Sequence, residues 1–192
     1  MGAIPLAEIY LIPPFWGRGI RARPFLDTII RLTGESLMRL DVNEQYYNTL
    51  KPGRRDYWRY MAAPLVQVET IMSILASAPP ISVVDLGCGD GELLSEVAAR
   101  FPNTRLTGID RSFPQIEENR KGNPSVSWYA MDLDSIGPLN PGMRGGFDVV
   151  LSLEVIEHVS SPNRLLSHAF ELSQPGGRLI LSTQSGPLRE TE

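Results

Sequence analysis

The stretch VVDLGCGDGE, residues 83–92, decides how the chain is read. A β-branched run enters a turn with glycine at alternate positions, Gly87, Gly89 and Gly91, and the helical pattern GELLSEVAARF leaves it. Three glycines let the backbone bend sharply and approach a ligand with no Cβ in the way. The turn is also acidic, because Asp85, Asp90 and Glu92 surround it. A dinucleotide fingerprint asks for glycine at the first, third and sixth positions, and the sixth position from Gly87 is Glu92. No Gly-Lys-Ser/Thr follows, as a phosphate-binding P-loop would require. Carboxylates placed here repel phosphate and favour a cation.

Outward from the turn, residues 81–184 alternate short β-branched runs with helical patterns. The expected strands are ISVVDL (81–86), RLTGID (105–110), SVSWYA (125–130), FDVVLSL (147–153) and GRLILST (177–183), with Pro175, Gly176 and Gly177 turning into the last. Leu93, Leu94, Val97, Ala98 and Phe101 form one helical stripe, and Leu165, Leu166, Ala169 and Leu172 another. Repeated strand, helix, strand implies right-handed crossovers and a parallel sheet covered on both faces. Ligands then sit at the carboxyl ends of the strands, where strand order reverses. Residues 1–80 read as a separate cap or lid region beside a core at 81–192. They are punctuated first by Pro and Arg, then helical at Val42–Leu50 and Asp56–Leu75, with Pro64 expected to kink or restart the second helix. Tyr57, Tyr60, Met61, Leu65, Val68, Met72 and Leu75 recur at helical spacing. They suit a layer packed on the sheet, or a lid whose aromatic residues, with Tyr46, Tyr47 and Trp58, close over a substrate.

At 192 residues and 42% hydrophobic content the chain holds one well-buried domain with something appended. A formal charge of −4 argues against long nucleic acid as the main partner, since such binding draws on clustered Lys and Arg. The single cysteine, Cys88, makes no intramolecular disulfide and builds no zinc cluster with the two histidines, which points to a reducing, cytoplasmic setting. AEIYLIPPFW is apolar but short, lacks a preceding basic segment, and is interrupted by Pro13 and Pro14. It reads as neither a signal peptide nor a membrane span.

A nucleoside that lacks phosphate and bears an ammonium and a sulfonium meets the demand of the acidic turn: S-adenosylmethionine. Its amino end would lie near Asp85 and the glycine backbone, its carboxylate near the amides that open the helix from about Gly91. VVDLGCGDG resembles, at every position, the first motif of the class I, Rossmann-like S-adenosylmethionine-dependent methyltransferases, apolar-apolar-Asp-Leu-Gly-Cys-Gly-x-Gly. Covering about residues 81–184, the resemblance implies an α/β fold, a doubly wound and mostly parallel sheet with helices on both faces, plus an N-terminal helical extension. It implies S-adenosylmethionine as cofactor, held by Asp85, Gly87, Cys88, Gly89 and Gly91. Asp110, which ends LTGID about twenty residues after the glycines, would accept the ribose hydroxyls. Asp132 of AMDLD would meet the adenine amino group, with the amide of Leu133 beside it, while Arg111 and Ser112 pack against the adenine.

The fourth expected strand runs on into EVIEH. If residues 154–159 are helical, Glu154, Glu157 and His158 fall at i, i+3 and i+4 on one face. Three readings stay open: the trio holds a divalent ion that polarises a substrate hydroxyl; His158, with Glu157, serves as general base; or Glu154 touches the methionine end of the cofactor and the others orient the loop. The segment is very similar to the Glu-x-x-Glu-His of ubiquinone-biosynthesis O-methyltransferases, in the type 11/12 methyltransferase group. Small-RNA 3′-terminal 2′-O-methyltransferases carry it too, and hold a metal with a further histidine. The spacing of His168 does not match that histidine, and His168 reads as an ordinary helix residue. The expected function is methyl transfer to a small molecule, at oxygen. RNA 2′-O-methylation and a non-catalytic binding subunit are the alternatives.

The pattern departs from the family after the fifth strand, where a sixth and an antiparallel seventh strand are expected and SGPLRETE stands. Either those strands are missing because the chain is a fragment, or another segment guards the fifth strand. AEIYLIP could supply one, from its own chain or a partner's, and an uncovered edge would invite a homodimer.

Overall fold

The computed structural model describes residues 8–12, 62–135 and 143–183. Strand β1 (Glu8–Ile12) and helix α1 (Ala62–Ser77) precede a regular alternation. It runs β2 (Ser82–Leu86), α2 (Glu92–Arg100), β3 (Arg105–Asp110), α3 (Phe113–Gly122), β4 (Ser127–Ala130), β5 (Phe147–Leu153), α4 (Pro162–Leu172) and β6 (Ser173–Ser182). Among the described residues the strands form one sheet in the order β1-β6-β5-β2-β3-β4, with every pairing parallel. All five expected strands are present, and the α/β, doubly wound expectation holds. The chain leaves β2 through β3 and β4 on one side and returns through β5 and β6 on the other. Strand order therefore reverses between β2 and β5, which opens the crevice in which such sheets bind ligands.

Successive residues of β2 face opposite layers, as the pleat requires. Val83 joins Ile71, Met72 and Leu75 of α1, Leu94 and Val97 of α2, and Leu151. Val84 joins Leu165, Ala169 and Leu172 of α4, with Val150 and Leu181. All five residues of β2 are buried because helices cover both faces. Helix α1 thus packs on the sheet as one of its layers. Its described residues run from Ala62, and Pro64 lies within them. The expected helix Val42–Leu50, the expected start at Asp56, and Tyr46, Tyr47, Tyr57, Trp58, Tyr60 and Met61 lie outside the described residues.

Strand β6 begins earlier than expected. Its pairing jumps from Phe147↔Ser173 to Val149↔Arg178, so Pro175, Gly176 and Gly177 loop out opposite Asp148, with Gly176 at φ 80°. Asp148 ties three strands at this point: Oδ2 accepts from the Ser82 amide at 2.7 Å and Oδ1 from the Gln174 amide at 2.6 Å. At the other edge of β6, β1 pairs in parallel from Glu8↔Arg178 to Ile12↔Ser182. The edge expected to invite a second copy is covered by a strand of the same chain.

Candidate active site

The glycine turn leaves β2 with Gly87 at φ 80°, Gly89 at 52° and Gly91 at 75°, all left-handed. The Gly87 and Cys88 amides both donate to the carbonyl of Ile109, at 2.8 and 3.0 Å, which binds the turn to the end of β3. The three glycines serve different ends. A Cβ on Gly87 would lie 2.3 Å from Val155 Cγ2, and one on Gly91 2.4 Å from the Trp128 ring. A Cβ on Gly89 would meet nothing within 4 Å. Gly87 and Gly91 are therefore required by packing, whereas Gly89 presents bare backbone to open space, where a ligand can approach.

Gly89 is held on both its polar groups. Its amide donates to Asp110 Oδ2 at 2.9 Å, and its carbonyl accepts from Asn119 Nδ2 at 2.8 Å. Gln115 steadies Asn119 with a 2.8 Å hydrogen bond, and the Ser112 amide donates to Asp110 Oδ1 at 2.8 Å. A carboxylate oxygen has two lone pairs, so Asp110 keeps acceptor capacity for two hydroxyls. Asp85, beneath the turn, is 4% exposed. Burial, then the Asp110 and Asp90 carboxylates, raise its pKa to about 7, and no donor among the described residues offsets them. A carboxyl so placed is stabilised as an anion by a cation brought against it. The Cys88 thiol is pushed well up by burial and then by Asp85, so Cys88 contributes backbone and bulk, not a thiolate.

The EVIEH segment differs from the helical expectation. Glu154 takes φ 55°, alone among described non-glycine residues in the left-handed region, and so stops β5 without starting a helix. A single turn follows, closed by the His158 amide on the Val155 carbonyl at 2.8 Å. Glu154, Glu157 and His158 consequently share no helical face. Among the described residues no three His, Cys, Asp or Glu side chains gather as a metal-holding group. The two carboxylates turn instead to the end of β6: Ser182 Oγ donates to Glu154 Oε1 at 2.8 Å, and Thr183 Oγ1 to Glu157 Oε2 at 3.0 Å. Burial raises the Glu154 carboxyl; the Ser182 hydrogen bond opposes this and the Glu157 carboxylate adds to it.

After β4, Asp132 is exposed and accepts the Asp134 amide at 2.9 Å, while Leu133 anchors the loop in the second core layer. Asp134 caps the next helix: its oxygens take the Ser160 and Ser161 amides at 2.9 and 3.0 Å where α4 begins. Every candidate residue, from Asp85 and the glycines through Asp110, Arg111, Asp132 and Leu133 to Glu154, Glu157 and His158, lies at or just beyond the carboxyl end of β2, β3, β4 or β5. His168 is buried within α4. Four contributors went unforeseen: Trp128, Asn119, Gln67 and Ser182. Trp128 packs on the glycine turn from two strands away, Asn119 and Gln67 are polar residues with no motif around them, and Ser182 lies in PGGRLILST, a stretch that reads only as a turn and a buried strand.

The family described as "Methyltransferase domain" matches residues 57–192. An uncharacterized 37.1 kDa protein in transposon TN4556 of Streptomyces fradiae is 29% identical over 180 residues, 89% of this chain and 51% of that protein. The ubiquinone biosynthesis O-methyltransferase of Xanthomonas axonopodis pv. citri is 36% identical over 103 residues, 53% of this chain and 42% of the enzyme. The malonyl-[acyl-carrier protein] O-methyltransferase of Hahella chejuensis is 30% identical over 117 residues, 60% and 40% respectively. The chain thus spans about half or less of the length of these curated relatives. Among solved structures, the plantazolicin methyltransferase BpumL, in complex with S-adenosylhomocysteine (SAH) and a pentazolic desmethylPZN analog, has a TM-score of 0.60 at 20% identity, covering 82% of this chain and 62% of that one. The [4+2]-cyclase SpnF has a TM-score of 0.52 at 22% identity, covering 62% and 44%. These likenesses concern the fold, while the match over residues 57–192 carries the family: the chain belongs to the methyltransferase domain family.

Proposed function

We propose that the chain is an S-adenosylmethionine-dependent methyltransferase acting on an oxygen of a small molecule. The observation that carries this is Asp85, buried with no offsetting donor among the described residues, under a glycine turn whose Gly89 faces open space. Fold alone would not suffice, since a solved cyclase has it too. Bound there, S-adenosylmethionine would supply an electrophilic methyl on a sulfonium. Asp85 would take its ammonium, Asp110 the ribose hydroxyls, Asp132 and the Leu133 amide the adenine edge, and Arg111 and Ser112 the adenine face. Glu154 would border the methionine end.

The protein's contribution is then mainly alignment, because an in-line displacement gains most from holding the nucleophile close and in register. An oxygen acceptor must also lose a proton. His158, with Glu157 beside it, is the candidate base, since both follow β5 at the mouth of the crevice. Two of the relatives are named as O-methyltransferases, which supports oxygen. Titration calorimetry with SAH tests the first half: binding with a raised melting temperature is expected, and no heat at saturating ligand overturns the proposal. Transfer of labelled methyl to a panel of phenols and carboxylic acids, with RNA ends as comparison, tests the second. Binding without transfer to any acceptor would favour a non-catalytic subunit.

A further inference from the structure

We propose that Gln67 of α1 is a positioning residue, which through the Ser182 hydroxyl fixes Glu154 at the mouth of the glycine turn. The inference rests on the function proposed above and extends it to a helix that carries no methyltransferase motif. Ser182 has one hydroxyl proton, and its Oγ lies 2.8 Å from Glu154 Oε1 and 2.5 Å from Gln67 Nε2. The carboxylate can only accept the first contact and the amide nitrogen can only donate the second. The order is therefore fixed: Gln67 N–H donates to Ser182 Oγ, and Ser182 O–H donates to Glu154. A direct but longer contact of 3.5 Å joins Gln67 Nε2 to the same Glu154 oxygen.

The elements that carry Gln67 and Ser182 are seated in the core. Ile71, Met72 and Leu75, the next turns of α1, are buried in the core layer beside Val83 and Leu151, and Ser182 is 3% exposed. The Glu154 amide also donates to the Ser182 carbonyl at 3.1 Å. Glu154 needs that hold, because a left-handed backbone at a residue other than glycine persists only where its surroundings over-determine it. Its neighbour Val155 rests on Gly87 so closely that a Cβ there would overlap it. If Glu154 shifts, the lining of the glycine turn shifts with it. Gln67 would thus report the seating of α1 to the cofactor site, across 87 residues of sequence.

SAH binding measured by calorimetry needs no knowledge of the acceptor. Gln67→Met, which keeps the length of the side chain but removes the donor, is expected to weaken binding about tenfold, as is Ser182→Ala. Ser182→Thr retains the hydroxyl and should restore binding to within about twofold of wild type. The double variant Gln67→Met/Glu154→Gln should bind no more weakly than Glu154→Gln alone, as coupled residues do. Additive losses, equal losses in Ser182→Ala and Ser182→Thr, or wild-type affinity in Gln67→Met would each overturn the inference alone. A wild-type protein that fails to bind SAH would overturn the proposed function and this inference together. A loss of affinity in Gln67→Met matched by a fall of many degrees in the ligand-free melting temperature would show a merely structural role, and so would also overturn it.

Discussion

Asp85 makes the ligand-free protein sensitive to pH in an unusual direction. Its folded pKa of about 7 exceeds the ordinary carboxyl value of 3.8, so between those limits the folded chain holds a proton that the unfolded chain has released. Stability should therefore be greatest on the acid side of this window and fall as pH rises from about 4 through 7, by on the order of 2–4 kcal/mol. Urea denaturation at pH 5 and pH 8 should show a clearly larger fall in wild type than in Asp85→Asn, which removes this titration and leaves that of Glu154, whose carboxyl burial also raises. The same variant should bind SAH at least about tenfold more weakly, so a gain in ligand-free stability at pH 8 accompanies a loss of function. A slope left intact in Asp85→Asn would place its source elsewhere. The glycines separate packing from access in a similar way. Gly91→Ala drives a methyl into the Trp128 ring at a left-handed position and should destabilise by about 3 kcal/mol or more. Gly89→Ala meets no protein atom, so only its φ of 52° is costly, about 1 kcal/mol, yet the methyl stands where a ligand would approach. Denaturation should thus rank Gly91→Ala as the worse folder, while calorimetry shows Gly89→Ala, still folded, without SAH affinity.

Among the elements, α4 shows how a loop fixes a helix without a capping side chain of its own. Ser161 stands at its N-cap and makes no side-chain cap hydrogen bond. Asp134, from the loop after β4, takes the Ser160 and Ser161 amides instead, and Arg164 returns a hydrogen bond to the Asp134 carbonyl. Asp134→Ala should lower stability by about 1–2 kcal/mol and leave SAH affinity within about twofold; a large loss of affinity would mean that the cap also sets the adenine side. The sequence drew attention to Asp132 of AMDLD and not to Asp134 two residues on, because which acid meets a helix depends on where α4 comes to rest. The strands and the glycine turn were legible because their signals are local: β-branched runs, alternating glycines, and an acid ending the next strand. The course after β5 was not, since EVIEH has sound helical spacing and only the left-handed Glu154 stops it. Gln67 and Ser182 were hidden for a different reason, being joined across 115 positions by one hydrogen bond that leaves no local pattern.

For the molecule as a whole, the β6 edge is guarded by β1. Strand β1 adds to it in parallel over five residue pairs, and is joined to the sheet by that pairing alone among its strands. A parallel pair cannot be closed by a tight hairpin and forms between residues about 170 positions apart, Glu8 with Arg178, so loop-closure entropy opposes it. Such a strand is replaceable in principle, and a bare edge presents unpaired N–H and C=O groups to any extended chain. Removing residues 1–12 should therefore leave the β2–β6 sheet and its glycine turn folded, while exposing the backbone of Arg178 to Ser182. Light scattering after size exclusion should show a concentration-dependent dimer or larger species in the deletion and not in the full chain. Because Ser182 at that edge holds Glu154, SAH affinity should fall in the deletion as well and recover as association covers the edge. A deletion that stays monomeric with full affinity would mean that β1 contributes neither protection to the edge nor support to the site.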